Sequence, residues 1–102
     1  MPTFIVERPA GVEWLPGVGA REQPLWDEHA VFMDDLFERG YVVLGGPLED
    51  GSGAVVVVEA DTEDDVRSLL AGDPWCSGGR DIQGVGRIRA WQIFLGARTR
   101  SE

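Results

Sequence analysis

The stretch Ala54-Val55-Val56-Val57-Val58-Glu59-Ala60 decides the fold. Four consecutive β-branched residues between a turn over residues 49–53 and Thr62 predict a strand. An antiparallel sheet with one wet face alternates apolar and polar residues, so an unbroken valine run predicts burial on both faces. Downstream, Thr62 reads as an N-cap with Asp65 three residues later as an imperfect capping box. Val66, Leu69 and Leu70 form the buried stripe of that helix, and Gly72 ends it. Upstream, residues 41–44 read as a strand stopped by Gly45-Gly46-Pro47.

Further upstream, residues 25–39 predict the first helix. Trp26, Ala30, Met33 and Phe37 recur at helical spacing, with His29, Phe32 and Leu36 beside them. Pro24 suits its first turn and Gly40 its left-handed cap. Residues 3–8 alternate as a first strand, and residues 86–95 read as a last one, with Trp91, Ile93 and Leu95 on one face and Ala90 and Phe94 on the other. Residues 9–24 hold three glycines and three prolines and predict a long loop, with Trp14 as its anchor or as a cover over a pocket. Residues 76–84 form a polar, glycine-rich connection, and residues 96–102 a frayed tail.

The order strand, helix, strand, strand, helix, strand predicts an α+β, ferredoxin-like βαββαβ domain spanning residues 1–102. Its four-stranded antiparallel sheet carries both helices on one face. The valine run then calls for a second cover, so the expected partner is another copy of the chain, forming a homodimer with a barrel-like core.

Composition narrows the chemistry. The formal net charge of −9 disfavours nucleic acid and anionic membrane surfaces, which need a basic footprint. All nine basic residues are arginine, which removes Schiff-base chemistry and the Walker A lysine. One cysteine and one histidine make neither an internal disulfide nor a His-rich metal site, so no metal and no cofactor are expected. The acidic cluster from Asp61 to Asp65 lacks the EF-hand pattern and reads as a solvated helix start. Nothing approaches the ~20 apolar residues of a membrane span, and Met1-Pro2-Thr3-Phe4 lacks the features of an export signal, so a cytoplasmic location is expected.

The single histidine, His29, lies on the apolar side of the first helix. Imidazole is the one side chain whose unperturbed pKa falls near neutrality. His29 reads either as a core-edge residue held by a backbone carbonyl or as a general acid or base. The second role needs a carboxylate to stabilise the imidazolium. Asp73 is the candidate: an acidic residue just past a helix C-terminus opposes the macrodipole, although it can equally cap the turn that begins with Pro74. Cys76 reads as a small packing residue. Arg21 and Arg80, in loops, are candidate contacts for a substrate carboxylate. Gly17-Val18-Gly19 and Gly84-Val85-Gly86 do not join a strand to a helix and are not phosphate loops.

Trp26-Asp27-Glu28-His29-Ala30-Val31-Phe32-Met33, then Gly46-Pro47-Leu48, then Asp73-Pro74-Trp75, resemble the YCII-related family of the dimeric α/β-barrel superfamily. The resemblance spans residues 3–94. It implies a His29–Asp73 catalytic dyad facing a pocket with Trp26, Phe32, Met33, Gly46, Pro47 and Trp75 as its surroundings. It further implies a cofactor-independent enzyme that transfers a proton on a small organic, possibly aromatic, molecule in an elimination, isomerisation or related lyase step. Two other functions stay open: a cofactor-free monooxygenase of the same fold, and a non-catalytic dimeric module that binds a small ligand. The loop over residues 9–24 exceeds the simplest members, so the substrate is the least transferable feature.

Overall fold

The computed structural model describes residues 1–96; the expected tail, Gly96 apart, lies outside the described residues. Strand β1 (Thr3–Pro9) is followed by a short 3-10 turn (Ala20–Glu22), helix α1 (Trp26–Glu38), strands β2 (Val42–Pro47) and β3 (Gly53–Glu59), helix α2 (Glu63–Leu70) and strand β4 (Ile88–Ala90). The sheet runs β2-β3-β1-β4 with every neighbouring pair antiparallel. In each βαβ half, one strand of the other half lies between the two strands, which is the ferredoxin-like arrangement.

The core follows from the period-two pleat. Phe4 and Val6 of β1 and Val56 and Val58 of β3 turn to one face, where they bury against Leu36 of α1 and Val66 and Leu70 of α2. Each such side chain contributes about 1.5–3 kcal/mol on leaving water. Val57, at 2 % exposure, lies on the opposite face between Ile5 and Leu44. Val57 is therefore buried on the far face, while Val55 on the same face is half-buried and Leu44 beside Val57 stays 62 % exposed.

Several expected boundaries move. The glycines after Leu44 do not stop β2: the strand continues through Gly45, Gly46 and Pro47 against Val56, Val55 and Ala54. Gly45 suits this close approach, since a Cβ there would sit 3.1 Å from the Val55 carbonyl oxygen. The register shifts between Val42 and Leu44, which makes Val43 the extra residue of a bulge.

The last strand is shorter than residues 86–95. Trp91 N–H still donates to the Thr3 carbonyl at 2.8 Å, but β1 begins at Thr3 and offers no edge beyond it. Pro24 does not enter the first turn of α1. Leu25 is the N-cap, in a left-handed conformation at φ 60°, while the Pro24 carbonyl accepts a hydrogen bond from the Trp75 indole at 2.7 Å. Thr62 caps α2 as its sequence predicts, accepting from Asp65 N–H at 3.1 Å. Gly72, past the end of α2, lets the chain lie against Phe32, 3.1 Å from where a Cβ would stand.

The loop over residues 9–24 is anchored rather than open. The buried Gln23 amide bonds Leu15 N–H and the Leu15 and Val18 carbonyls. Trp14 packs edge-on against Trp75, centroids 5.5 Å apart.

Candidate functional site

Trp26, His29, Met33 and Phe37 are separated by steps of three and four residues, so α1 presents them on one side. They form one wall of a cavity of about 420 Å³. Gly45, Gly46 and Pro47 of β2, with Ala54 and Val56 of β3, form the opposite wall. Gly45 matters here: it shares the helix-facing side of its partner Val56, and where another residue would project a side chain it leaves space between sheet and helix. Arg8, Trp75, Gln83 and Ala20 also reach the cavity.

The structure brings His29 and Asp73 together. His29 Nδ1 lies 2.8 Å from Asp73 Oδ1 and 2.9 Å from Oδ2. The carboxylate is also held by Arg8, whose Nη1 donates to Oδ2 at 2.9 Å with both side chains fully removed from solvent. Trp75 N–H donates to Oδ1 at 3.0 Å, and the Asp73 carbonyl accepts from Cys76 and Ser77 N–H. Both sequence readings of Asp73 are therefore met at once: it caps the turn at Pro74 and it pairs with His29.

Burial alone would raise the Asp73 pKa. The hydrogen bonds from His29 and Trp75 and the charge of Arg8 outweigh it, and the carboxyl lies below its ordinary value. An ionised Asp73 accepts at Nδ1, so that nitrogen carries its hydrogen. In the neutral ring Nε2 then keeps its lone pair, on the edge of a side chain that lines the cavity. The ring is fixed in a second way: the Trp75 indole stacks on it at 3.6 Å between centroids and 6° between planes. Because the indole N–H is held by Pro24, Trp75 cannot easily swing away.

Of the expected pocket residues, Trp26, Met33, Gly46, Pro47 and Trp75 line the cavity. Phe32 does not: it packs against the core cluster beneath α1. Arg21 and Arg80 are exposed and away from the cavity, and Arg80 instead reaches the Pro74 carbonyl. Cys76 is half-buried, and burial pushes its thiol pKa up, so it is held as the protonated, weakly nucleophilic form. Among the described residues, no three His, Cys, Asp or Glu side chains gather as a metal site would require, and no helix is long and apolar enough to cross a membrane.

Two residues of the site escape the sequence reading. Arg8 carries a faint signal, since alternation from Phe4 and Val6 places it at an inward position of β1, where a charge needs a partner. Gln83 carries none, lying within the glycine-rich connection.

No family model matches the sequence, and no curated protein matches it. Among solved structures, the chain is similar to 5-chloro-2-hydroxyhydroquinone dehydrochlorinase (TftG) of Burkholderia phenoliruptrix AC1100, solved in complex with 2,5-dihydroxybenzoquinone. The match has a TM-score of 0.59 at 22 % identity and covers 88 % of this chain and 93 % of that one. At that identity the likeness establishes a shared fold.

Proposed function

We propose that the protein is an enzyme in which His29 moves a proton on a small ring compound, in an elimination or isomerisation. One observation carries the reading: an imidazole clamped by a buried carboxylate and a stacked indole, with its free edge on a largely apolar cavity. Nε2 takes a proton from the substrate. In an elimination the C–H electron pair becomes the new double bond, and the leaving group departs with its own bonding pair. In an isomerisation the imidazolium returns the proton to another atom. Asp73 orients the ring and stabilises the imidazolium, and Arg8 holds Asp73. Such proton transfer needs no cofactor. The similar fold of a dehydrochlorinase that binds a dihydroxylated quinone supports a ring substrate and an elimination.

The reading is tested with hydroxylated ring compounds that carry a leaving group, following product by chromatography and oxygen by electrode. His29→Gln is expected to lose about 10²–10⁴-fold in turnover. Recovery of every bound compound unchanged refutes the enzyme and leaves a binding module, and stoichiometric oxygen uptake marks a monooxygenase instead.

We also propose a homodimer closed through the uncovered sheet face. Leu44, 62 % exposed beside Val57 on that face, supports it, since a large apolar side chain next to a buried one is a natural contact for a second copy. Light scattering is expected to give twice the chain mass of 11.2 kDa. A clean monomer at micromolar concentration refutes it.

A further inference from the structure

The polar groups that reach the cavity differ in how much bonding capacity they have left. Arg8 has little: Nε donates to the Gly84 carbonyl at 2.8 Å, Nη1 to Asp73 at 2.9 Å and Nη2 to the Gln83 carbonyl at 3.4 Å. Its charge is matched by Asp73. The Trp75 indole N–H is occupied by Pro24. Asp34 adds a negative charge to the lining.

Gln83 is different. It is 4 % exposed, yet its carboxamide makes no hydrogen bond among the described residues. Among the described residues, every side-chain nitrogen or oxygen fully sealed from solvent has a partner, so the Gln83 amide keeps some accessible surface, and the residue lines the cavity. Its backbone is fastened on three sides: the carbonyl to Arg8 at 3.4 Å, the N–H to the Trp75 carbonyl at 3.4 Å, and a bridge to Ala10. An accessible amide on a fixed backbone presents one donor group and one acceptor to whatever enters the cavity.

We infer that Gln83 is a specificity-determining residue that binds an uncharged oxygen, a hydroxyl or carbonyl, on the ring substrate and disfavours a carboxylate. The inference rests on the reading of this cavity as a substrate site. An amide offers one donor group and one acceptor, the complement of a hydroxyl, and satisfies a carbonyl through its donor alone. A carboxylate would bring a charge with no unpaired arginine among the described lining residues to meet it. It would also face the acceptor oxygen of the amide and the negative charge of Asp34. The remaining lining, with Val42 and Val56, suits the apolar body of a ring.

Three probes of similar shape separate these features: hydroquinone, p-xylene with methyls in place of the hydroxyls, and 4-methylbenzoate. Their dissociation constants are measured by quenching of Trp26 and Trp75 fluorescence and by calorimetry. The proteins are the wild type, Gln83→Met and the near-isosteric Gln83→Glu. The wild type is expected to prefer hydroquinone to both others. Gln83→Met is expected to weaken hydroquinone about 10–100-fold and to leave p-xylene unchanged or tighter. Gln83→Glu is expected to keep hydroquinone, since a carboxylate still accepts from a hydroxyl, and to weaken 4-methylbenzoate further. An unchanged ratio of hydroquinone to p-xylene in Gln83→Met overturns the role of Gln83 while the cavity reading stands. Tighter wild-type binding of 4-methylbenzoate than of hydroquinone overturns it too. If none of the three binds the wild type at millimolar concentration, both readings fall together.

Discussion

Replacing Arg8 with methionine should be among the most damaging single changes in this chain. The guanidinium and the Asp73 carboxylate meet at 2.9 Å with no exposure of either side chain. Methionine keeps roughly the length of the stem and removes the charge. Asp73 then retains His29 and the Trp75 N–H, while the Gly84 and Gln83 carbonyls lose their arginine donor. Breaking a buried pair from one side costs about 3–5 kcal/mol, a large share of the ~5–15 kcal/mol that stabilises a typical domain. At about 4 °C per kcal/mol for a chain of this length, Tm should fall by about 12–20 °C.

Thermal and urea unfolding, followed together by circular dichroism and tryptophan fluorescence at pH 7, measure the loss. The double variant Arg8→Met/Asp73→Asn leaves no unpaired charge and should lose less than the sum of the single variants, by about 1–3 kcal/mol. A fall below about 4 °C for Arg8→Met, or additivity in the double variant, refutes the reasoning. His29 and the Trp75 N–H would then be sufficient to hold the carboxylate.

Three further outcomes are expected. Since the Asp73 pKa is lowered on folding, its contribution is fully present above the ordinary carboxyl value of 3.8 and is lost as pH falls beneath it. Comparing urea midpoints at pH 6 and pH 3 should therefore show a flatter response in Asp73→Asn than in the wild type, and an equal response contradicts the ion-pair account. Gly53→Ala should destabilise by about 1–3 kcal/mol, because Gly53 has φ 154° and a Cβ there would lie 2.4 Å from the Arg8 carbonyl oxygen. Gly46→Ala, with nothing within 4 Å of its Cβ, serves as its control in urea titration. Thr62→Ala should cost about 1 kcal/mol, read from the same urea titration, through loss of the cap on Asp65 N–H.

Physical signals that act over one turn or one pleat are legible in the sequence. The valine run, the stripe on α1, the Thr62 cap and the Asp73-Pro74 turn depend on neighbours a few residues away, so residue type and spacing reveal them. They suffice to order the elements, and with them the ferredoxin-like fold and the side of α1 on which His29 lies. Boundaries that depend on a distant partner were not legible. β2 runs through Gly45-Gly46-Pro47 because β3 supplies hydrogen bonds there, and β4 stops early because β1 has no further edge to offer.

The site divides along the same line. Sequence alone places an imidazole on a helix face and an acid beyond a helix end. Only the tertiary structure decides that they touch across 44 residues, and that Arg8, 65 residues from Asp73, is the cation that holds the acid. That meeting depends on β1 lying at the centre of the sheet with Arg8 on its helix-facing side. No local propensity encodes this: the position of one strand beside another is selected by how the whole set of apolar faces packs. Gln83 shows the same limit most plainly, since a glutamine in a glycine-rich connection comes to line the cavity only once the chain closes around it.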